Sequence, residues 1–372
     1  MYDAAAARLI LAGIPLAIWV YLLIGRGGFW RIKQASSRQV YKNQARVVAV
    51  VPARNEAAVI GKAIGSLVQQ GLRVVVVDDG STDATAEIAA SFGATVIVGR
   101  PLEPGWTGKL WAMSQGVEYA LQFRPDYLLF TDADIRHGAQ TIAELLHIAE
   151  SYDLVSYMVK LACVTTAEKA LIPAFVFFFL KLYPPAWIRS SRFKTAGAAG
   201  GCILIRTAAL LKIGGLQSIA GEVIDDCALA RAVKRSGGRV WMGLTEEAES
   251  IRSYGGFSEI GHMISRTAFN QLHHSALLLV GTAIGLFFTY LLPPVLAFSG
   301  KTVPMALGGM AWCLMTLAYL PMVRFYRRSW AWSLALPLVA FFYAGATVHS
   351  AVQYWRGKGG EWKGRAQDVR YG

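Results

Sequence analysis

Charged residues are scarce in this sequence. Only 16% of its 372 residues are Asp, Glu, Lys or Arg, whereas 54% are hydrophobic. This balance is too apolar for a wholly water-soluble protein and indicates that part of the chain lies in hydrocarbon. Cysteine is scarce as well, and none of the four has the CxxC spacing of a metal site. We expect these to be reduced, buried thiols: Cys163, Cys202, Cys227 and Cys313.

Two common phosphate-binding motifs are missing. No GxGxxG turn follows the first predicted strand, where residues 52–56 stand instead, and no GxxxxGK[ST] loop occurs. A dinucleotide-binding Rossmann domain and a P-loop nucleotide hydrolase are therefore disfavoured. A phosphate bound here needs another positive partner, and a divalent cation is the obvious one.

Acidic residues are outnumbered, with 24 against 37 basic residues and a net charge of +13. The basic residues concentrate in segments 26–46, 324–328 and 356–370, all beside apolar runs. Attraction to anionic lipid headgroups explains this distribution better than nucleic-acid binding, so membrane lipids are expected partners and nucleic acid is not.

Four long apolar runs cover residues 9–24, 276–298, 304–323 and 332–354, each near the roughly 20 residues that span a bilayer. Basic residues follow the first run, while only Asp3 and Arg8 precede it, so the positive-inside rule places the next block in the cytoplasm. A cleaved signal peptide is the alternative for the first run. It is disfavoured because a strong basic n-region and a small-residue cleavage site are both missing.

The predicted organisation has five parts. They are an N-terminal transmembrane anchor at 1–30, a cytoplasmic catalytic domain at 40–255, an amphipathic interfacial helix at 256–275, transmembrane helices at 276–355 and a basic tail at 356–372. Three C-terminal crossings would leave that tail outside, against the positive-inside rule. Either one of these segments fails to cross the bilayer, with the interruption at 291–294 as the candidate place, or the basic tail violates the rule.

A further apolar stretch at 170–188 is interrupted by Lys181 and by the Pro184-Pro185 pair. These interruptions suit an interfacial or re-entrant segment better than a span, and such a segment could deliver a lipid acceptor. A buried core helix is the alternative.

The block after the first apolar run reads as an α/β domain. Continuous β-branched runs at 47–51 and 74–77 flank a segment with helical periodicity, which predicts a βαβ unit with parallel strands. Further strands are predicted at 95–98 and 127–131. Because ligands bind at the carboxyl ends of parallel strands, Asp78, Asp79, Asp132 and Asp134 are expected at one sheet edge.

Asp132 and Asp134 have the spacing at which two carboxylates at a strand end point to the same side. Hard oxygen ligands of this kind suit Mg²⁺ or Mn²⁺ bridging a diphosphate. Taken alone, such a pair is more often a solvated turn or a helix cap, because Asp is common at these positions.

These residues together resemble the family 2 glycosyltransferases with a GT-A fold, and more closely the bacterial hopene-associated glycosyltransferases. The likeness covers nearly the whole chain. It is carried by VPARNE at 51–56, DDGSTD at 78–83, DAD at 132–134, EPGWTGK at 103–109, IDDC at 224–227 and RTAFNQ at 266–271.

The resemblance implies a Rossmann-like, mostly parallel sheet and a role for each motif. The implied donor-binding residues are Pro52, Arg54, Asn55, Glu56, Asp78, Asp79, Lys109 and Asp132. Asp132 and Asp134 would hold the metal and the diphosphate. Asp226 would be the catalytic base, with Asp225 beside it as the other candidate. The implied acceptor region comprises Gly200, Gly201, Cys202, Arg266 and Gln271.

Several of these positions have plainer explanations. Asp225 and Asp226 open a predicted helix, where acids are favoured by the helix dipole. Lys109 fits a surface lysine as well as a phosphate ligand, and Gly200 and Gly201 fit a tight turn. The Gln-x-x-Arg-Trp signature of polysaccharide-building relatives is incomplete, because no tryptophan accompanies Arg266 and Gln271. Transfer of a single sugar is therefore expected.

Three functions are compatible with the sequence. The first is an inverting transferase in the bacterial inner membrane that moves a sugar from a nucleotide-diphosphate sugar to a hydroxyl of a lipid, a hopanoid being the family's example. The second has a polyprenyl phosphate as acceptor, which is already ionised and needs no base. The third is a nucleotide-sugar-binding scaffold without catalysis.

Overall fold

The computed structural model describes residues 2–32, 45–357, 361–362 and 365–366, with side chains for residues 9–32 and 45–357. The basic residues predicted at 33–44 and most of the basic tail lie outside this part of the chain. The chain divides into two compact units, one α/β and one helical. The α/β unit comprises Lys33–Ala162, Trp187–Ser253 and Gly360–Gly372, and the helical unit comprises Met1–Ile32, Cys163–Ala186 and Tyr254–Gly359.

Eight strands form one sheet: β1 Val47–Ala53, β2 Arg73–Asp78, β3 Thr95–Val98, β4 Tyr127–Thr131, β5 Ile135–His137, β6 Leu154–Lys160, β7 Cys202–Arg206 and β8 Val240–Ser250. Two further short strands, β9 Glu361–Trp362 and β10 Arg365–Ala366, pair antiparallel.

The helices lie between and around these strands. In chain order they are α1 Tyr2–Gly25, α2 Ile60–Val68, α3 Thr85–Ser91, α4 Gly108–Ala120, α5 Thr141–Ala149, α6 Thr166–Leu182, α7 Pro185–Arg189, α8 Thr207–Lys212, α9 Asp225–Arg235, α10 Phe257–Ala268, α11 Ala276–Leu286, α12 Leu292–Ala297, α13 Thr302–Phe325 and α14 Leu336–Trp355.

The sheet has the order β3-β2-β1-β4-β7-β6-β8-β5. The first four strands are parallel, as the sequence predicts, and β6 and β8 are parallel as well. β5 runs antiparallel to β8, and β7 runs antiparallel to both β4 and β6. Its amino end therefore lies at the carboxyl end of β4, where Thr131 pairs with Cys202.

β1 is buried on both faces because helices cover both. On one face, Ile60, Ile64 and Leu67 of α2 belong to the core cluster that contains Val51 of the strand. On the other face α4 lies so close that a Cβ added at Gly116 would clash with the side chain of Val50. A continuous apolar run, rather than an alternating one, is what such a doubly covered strand requires.

β1 also continues beyond its predicted end, through Pro52 to Ala53. The prediction was wrong at this point because proline was expected to break the strand. Pairing with β4 ends at Val50, opposite Phe130, so the missing N–H of Pro52 costs no hydrogen bond to β4. Pairing with β2 continues to Ala53 opposite Asp78.

Helices occupy all four predicted apolar runs, and four segments are long and apolar enough to cross a membrane: Thr166–Arg189, Ala276–Ala297, Thr302–Phe325 and Trp330–Trp355. The Leu9–Gly25 part of α1 is a shorter apolar helix. The break predicted at 291–294 is instead a π-helical turn, Phe287–Leu291, that leads directly into α12. The amphipathic helix predicted at 256–275 ends earlier, at Ala268, and Ser275 caps the next helix by accepting from Leu278 N.

The segment Thr166–Arg189 has the length of a span, but the sheet restricts what it can do. β6 precedes this segment and β7 follows it, and the two strands are paired neighbours in one sheet. A single crossing would place them on opposite sides of the bilayer. The connectivity therefore argues against a single crossing, and both the interfacial or re-entrant segment and the buried core helix stay predictions.

His137 at the end of β5 is buried, and its Nε2 lies 3.0 Å from Thr131 Oγ1, which donates to Gly201 O. Burial lowers the pKa of His137 to about 4 from its ordinary 6.5. The unfolded chain binds the proton first, so the free energy of unfolding decreases as pH falls from about 6.5 to about 4. We expect the wild type to lose about 3 kcal/mol of its free energy of unfolding over this window. The unfolding temperature of His137→Gln, measured across the same pH range, should not show the corresponding decrease. His147→Gln, at a half-exposed position of α5, is the control and should keep the wild-type pH dependence.

Candidate active site

The carboxyl ends of β1, β2 and β4 meet at one edge of the sheet, and most of the predicted donor residues lie there. Ala53 pairs with Asp78, and Asp79 N donates to Ala53 O at 2.9 Å. Asp132 follows directly after β4. The parallel order of the three strands therefore brings the acidic motifs together, as the sequence predicts.

Asn55 joins the loop after β1 to the loop after β2. Its Oδ1 accepts from Thr82 N at 2.8 Å, and its own N–H donates to Ser81 Oγ at 3.0 Å. Its φ of 54° lies in the left-handed region, where asparagine is among the few residues tolerated. Glu56 is buried beside it, with its N–H donating to Thr85 Oγ1. These bonds fix the shape of the two loops after β1 and β2, which together form a cradle at the sheet edge.

Asp78 and Asp79 are buried at the end of β2. The guanidinium of Arg54 donates to Asp79 O and lies 3.8 Å from Asp79 Oδ2. Asp78 Oδ2 accepts from Ser81 N, whereas Asp78 Oδ1 has no hydrogen-bond partner within the part of the chain that the structure describes. Because a buried acceptor without a partner is costly, this oxygen is suited to receive a donor from a ligand.

The two carboxylates after β4 each contact a cation. Lys109 Nζ lies 2.9 Å from Asp132 Oδ1, and Arg252 Nε lies 2.9 Å from Asp134 Oδ2. Arg252 also contacts Glu56 through a second nitrogen. Burial raises the pKa of Asp134, the nearby charge of Asp132 raises it further, and Arg252 opposes both. The negative charges of Asp132 and Asp134 are thus balanced by Lys109 and Arg252.

The residues present fit a divalent cation whose coordination is completed by phosphate oxygens of a substrate. Within the described residues no group of three or more His, Cys, Asp or Glu side chains is arranged to hold a metal ion. Mg²⁺, however, is commonly held by one or two carboxylates together with substrate phosphates. Asp132 and Asp134 supply that number of hard oxygen ligands.

Asp226 lies across the same cleft, at the start of α9. Its Oδ2 accepts from Gly200 N at 2.8 Å, and its Oδ1 accepts from Cys227 N at 2.6 Å. Burial and then the charge of Asp225 raise the pKa of Asp226 to about 7, although Lys109 and the two amides act against the shift. A carboxylate with a pKa near neutrality can accept a proton and release it again.

Lys109 lies between the two acidic pairs, 2.9 Å from Asp132 and 3.4 Å from Asp225 Oδ2. Burial acts to lower its pKa, but the charges of Asp132 and Asp225 outweigh burial and leave the pKa raised. Lys109 is therefore a permanent cation inside the cleft. The Lys109 side chain is largely buried and has two carboxylate partners, so it is not the surface lysine considered as the alternative.

The glycine turn before β7 reaches this cleft because β7 is antiparallel. The cleft is lined by Pro52, Lys109, Asp132, Gly200, Asp225 and Asp226 together with apolar side chains. A Cβ added at Gly200 would lie 3.4 Å from both Asp226 Oδ2 and Lys109 Nζ. Cys202 is different, because it is buried in the strand and burial raises the pKa of its thiol to about 12.

Arg266 and Gln271 belong to the helical unit. Arg266 is exposed on α10, and Gln271 Nε2 donates to the Tyr183 hydroxyl at 2.7 Å. Their role in acceptor binding stays a prediction.

Arg252 is the site residue that the sequence did not reveal. It follows β8 and reaches Asp134 because Ile251 N donates to Asp134 O, which fixes the two chain segments side by side. No motif surrounds Arg252, and only the pairing of distant segments places it beside Asp134.

We expect Arg252→Gln to bind Mn²⁺ more tightly in the absence of a nucleotide, by roughly tenfold, the size of one charge-assisted hydrogen bond. The reason is that Arg252 competes with a metal for Asp134. Calorimetry or Mn²⁺ electron paramagnetic resonance measures this affinity directly. Arg136→Gln, which removes an exposed pair with Glu249, is the matched control. Unchanged Mn²⁺ affinity in Arg252→Gln would contradict the competition.

Comparison with known proteins agrees with this geometry. Residues 48–214 match the family described as Glycosyl transferase family 2. The 4,4'-diaponeurosporenoate glycosyltransferase of Staphylococcus aureus (strain USA300) is 37% identical over 121 residues, which is 32% of this chain and 32% of that protein. The chain thus aligns with about a third of the length of the curated relatives it matches.

Among solved structures, the mannosyltransferase PcManGT from Pyrobaculum calidifontis in complex with GDP-Man and Mn²⁺ has a TM-score of 0.54 at 17% identity. The similarity covers 96% of this chain and all of that one. At this identity the likeness concerns the fold, which is the GT-A fold expected from the sequence.

Proposed function

Because residues 48–214 place the chain in glycosyl transferase family 2, we propose that it is an inverting, membrane-bound transferase of a single sugar. The donor is a nucleotide-diphosphate sugar, with UDP-sugars as the first class to test, and the acceptor is a hydroxyl of a lipid. One observation carries the proposal: a single cleft is lined by Asp132 at the donor edge and by Asp226 opposite.

The loops after β1 and β2 are the proposed site of the nucleoside. Asn55, Glu56 and Asp79 shape this cradle, and the free Oδ1 of Asp78 accepts a hydrogen bond from the base or the ribose. Arg54, directly after β1, holds Asp79 by donating to its backbone oxygen, and Pro52 in β1 lines the cleft.

Asp132 and Asp134 would hold a Mg²⁺ or Mn²⁺ ion, which neutralises charge on the departing diphosphate when bound. Lys109 adds a fixed positive charge on the same side of the cleft and can stabilise that leaving group. It also holds Asp225 by an ion pair, which leaves Asp226 as the carboxylate available for proton transfer.

Asp226 is the proposed general base. The acceptor oxygen attacks the anomeric carbon and forms the new C–O bond, while its proton passes to a carboxylate oxygen of Asp226. The bond from the anomeric carbon to the diphosphate breaks, and the electron pair leaves with the diphosphate. In-line attack of this kind inverts the anomeric configuration. The amide hydrogen bonds of Gly200 and Cys227 hold the carboxylate in place during the transfer.

The acceptor is expected to be membrane-bound, because four segments are long and apolar enough to cross a bilayer. A hopanoid hydroxyl is the first acceptor to test, on the motif resemblance. The basic residues after α1 favour a multi-pass protein of the bacterial inner membrane with a cytoplasmic active site.

An already ionised acceptor is the second candidate, and the name of the curated relative, which specifies a carboxylate, favours it. A polyprenyl phosphate belongs to the same class and needs no base. Activity that survives loss of both Asp225 and Asp226 would support this candidate. A scaffold that binds a nucleotide sugar without turnover is disfavoured, since all the expected acidic positions are filled.

The test is to incubate the purified 372-residue protein with a panel of nucleotide sugars, Mn²⁺ or Mg²⁺, and three lipids, a hopanoid alcohol, a long-chain carboxylic acid and a polyprenyl phosphate. Mass spectrometry should show one added sugar on the alcohol, and NMR should show an inverted anomeric centre. A product on the carboxylic acid or the phosphate alone would favour the second candidate. Donor binding without a product on any of the three lipids would contradict both transferase functions.

A further inference from the structure

The basic segment, residues 187–195, begins in α7 and leads toward β7. Its sequence, WIRSSRFKT, contains three cations and no acid. The chain around it has the same bias, because no Asp or Glu occurs between Glu168 and Glu222. The three cations, all with exposed side chains, are Arg189, Arg192 and Lys194. Within the part of the chain that the structure describes, none of them makes an ion pair. A partner that neutralises them is therefore anionic.

Two aromatic side chains lie among these cations. The rings of Trp187 and Phe193 are stacked, with centroids 4.7 Å apart and planes 12° from parallel. Phe193 is 41% exposed, although phenylalanine is among the residues most often buried. Aromatic rings are enriched at the level of lipid headgroups, where Lys and Arg side chains reach the phosphates. The composition of the basic segment is thus that of a membrane-water interface.

The two ends of the basic segment are held by one lysine of α9. Lys234 Nζ donates to Trp187 O at 3.0 Å and to Ile188 O at 2.7 Å. It also donates to Thr195 O at 2.7 Å. These bonds use all three donors of the ammonium. Lys234 therefore fixes the backbone of the segment, while the cations between its anchors stay exposed.

The chain that follows the basic segment is tied to the same parts of the α/β unit. Ala199 N donates to Ser156 Oγ of β6 at 2.8 Å. The next amide, Gly200 N, donates to Asp226 at the start of α9. The segment and the carboxylate are thus joined through one helix. A surface that binds the segment also fixes how far Asp226 lies from that surface.

The surface of a bilayer fits these features better than a soluble polyanion does. An anionic lipid surface attracts each nearby Lys or Arg side chain, as a nucleic acid or an acidic peptide also would. The apolar segment Thr166–Arg189, however, leads directly into the basic segment and ends at its first cation. An apolar helix followed by exposed aromatic and basic side chains matches the order of hydrocarbon, headgroup and water.

We propose that the basic segment docks on the anionic surface of a membrane. Arg189, Arg192 and Lys194 contact lipid phosphates, and the rings of Trp187 and Phe193 lie at the headgroup level. The partner is a bilayer that contains an acidic phospholipid. A zwitterionic bilayer carries no net charge and binds the segment more weakly. The docking does not depend on the proposed transferase function.

Photo-cross-linking measures this contact in the 372-residue protein, reconstituted in nanodiscs of phosphatidylcholine with or without phosphatidylglycerol. Phe193→p-benzoylphenylalanine supplies the photoreactive group. We expect mass spectrometry to show lipid adducts at residue 193, with phosphatidylglycerol preferred over phosphatidylcholine. Phe92→p-benzoylphenylalanine is the matched control, because Phe92 is 47% exposed and belongs to the same α/β unit. It should show no preference for phosphatidylglycerol.

The cations are tested in the same assay. Arg192→Gln should lower the phosphatidylglycerol adducts at residue 193 about fivefold, and Arg189→Gln, Arg192→Gln and Lys194→Gln together should lower them further. Arg235→Gln, which removes an exposed cation of α9, is the charge control and should leave the adducts unchanged. The unfolding temperature of each variant should equal that of the wild type, because Lys234 keeps its three backbone bonds.

Three results would overturn the proposal. The first is adducts at residue 193 that join another part of the chain or a second copy instead of a lipid. The second is equal preference for the two lipids, or the same preference at Phe92. The third is an unchanged yield of phosphatidylglycerol adducts when all three cations are replaced.

Discussion

Asp226→Asn should lower the turnover number of sugar transfer to a lipid alcohol about a thousandfold, within the range that loss of a general base produces. The amide cannot accept the proton of the acceptor hydroxyl, but it keeps the shape of the carboxylate and one acceptor oxygen for Gly200 N. Donor affinity should change little, because Asp226 is not part of the nucleoside cradle. Initial rates over a range of donor concentrations separate the two effects.

The pH dependence of the same reaction tests the role of Asp226 independently. The base must be ionised to act, and the pKa of Asp226 is raised to about 7. Wild-type turnover should therefore rise as pH increases through about 7, and this limb should be absent in Asp226→Asn. Glu118→Gln, an exposed position on α4, is the control. Full activity in Asp226→Asn, or a larger loss in Asp225→Asn, would remove Asp226 from the role of base.

Asp134→Asn should abolish the dependence of nucleotide binding on a divalent cation and reduce turnover by about a thousandfold. A metal stabilises the transition-state charge by several kcal/mol, and each kcal/mol changes the rate about fivefold. Asparagine keeps the size of the side chain, so Arg252 retains its contact with Glu56. Calorimetry with UDP, with and without Mn²⁺, measures the binding, and transfer assays measure the rate.

A chelator provides the matching control for Asp134→Asn. It should reduce wild-type activity to the level of the variant and leave the residual activity of the variant unchanged. Wild-type turnover that is insensitive to both the chelator and the substitution would show that Asp132 and Asp134 do not act through a metal.

The sequence predicted the sheet edge well because its signals are local. The strand runs that end at Asp78 and Asp132 are each continuous and apolar, and parallel strands bring both aspartates to one edge. β3 and β4 have their predicted bounds. The helix that opens at Asp225 was predicted from its apolar stripe and is present.

Three features could not be predicted, because they depend on contacts between distant segments. The antiparallel direction of β7, which brings Gly200 to Asp226, is decided by its pairing with β4 and β6. The position of Arg252 beside Asp134 depends on the path of the chain after β8. The continuation of β1 through Pro52 depends on where β4 stops pairing.

Base-assisted sugar transfer can be measured directly as transfer of a radiolabelled sugar from a UDP-sugar to a lipid alcohol, with wild type and Asp226→Asn compared side by side. We expect label in the organic phase that requires Mn²⁺ or Mg²⁺ and is nearly lost in the variant. Label that never enters the organic phase with any donor or lipid alcohol, although the nucleotide sugar binds, would contradict it.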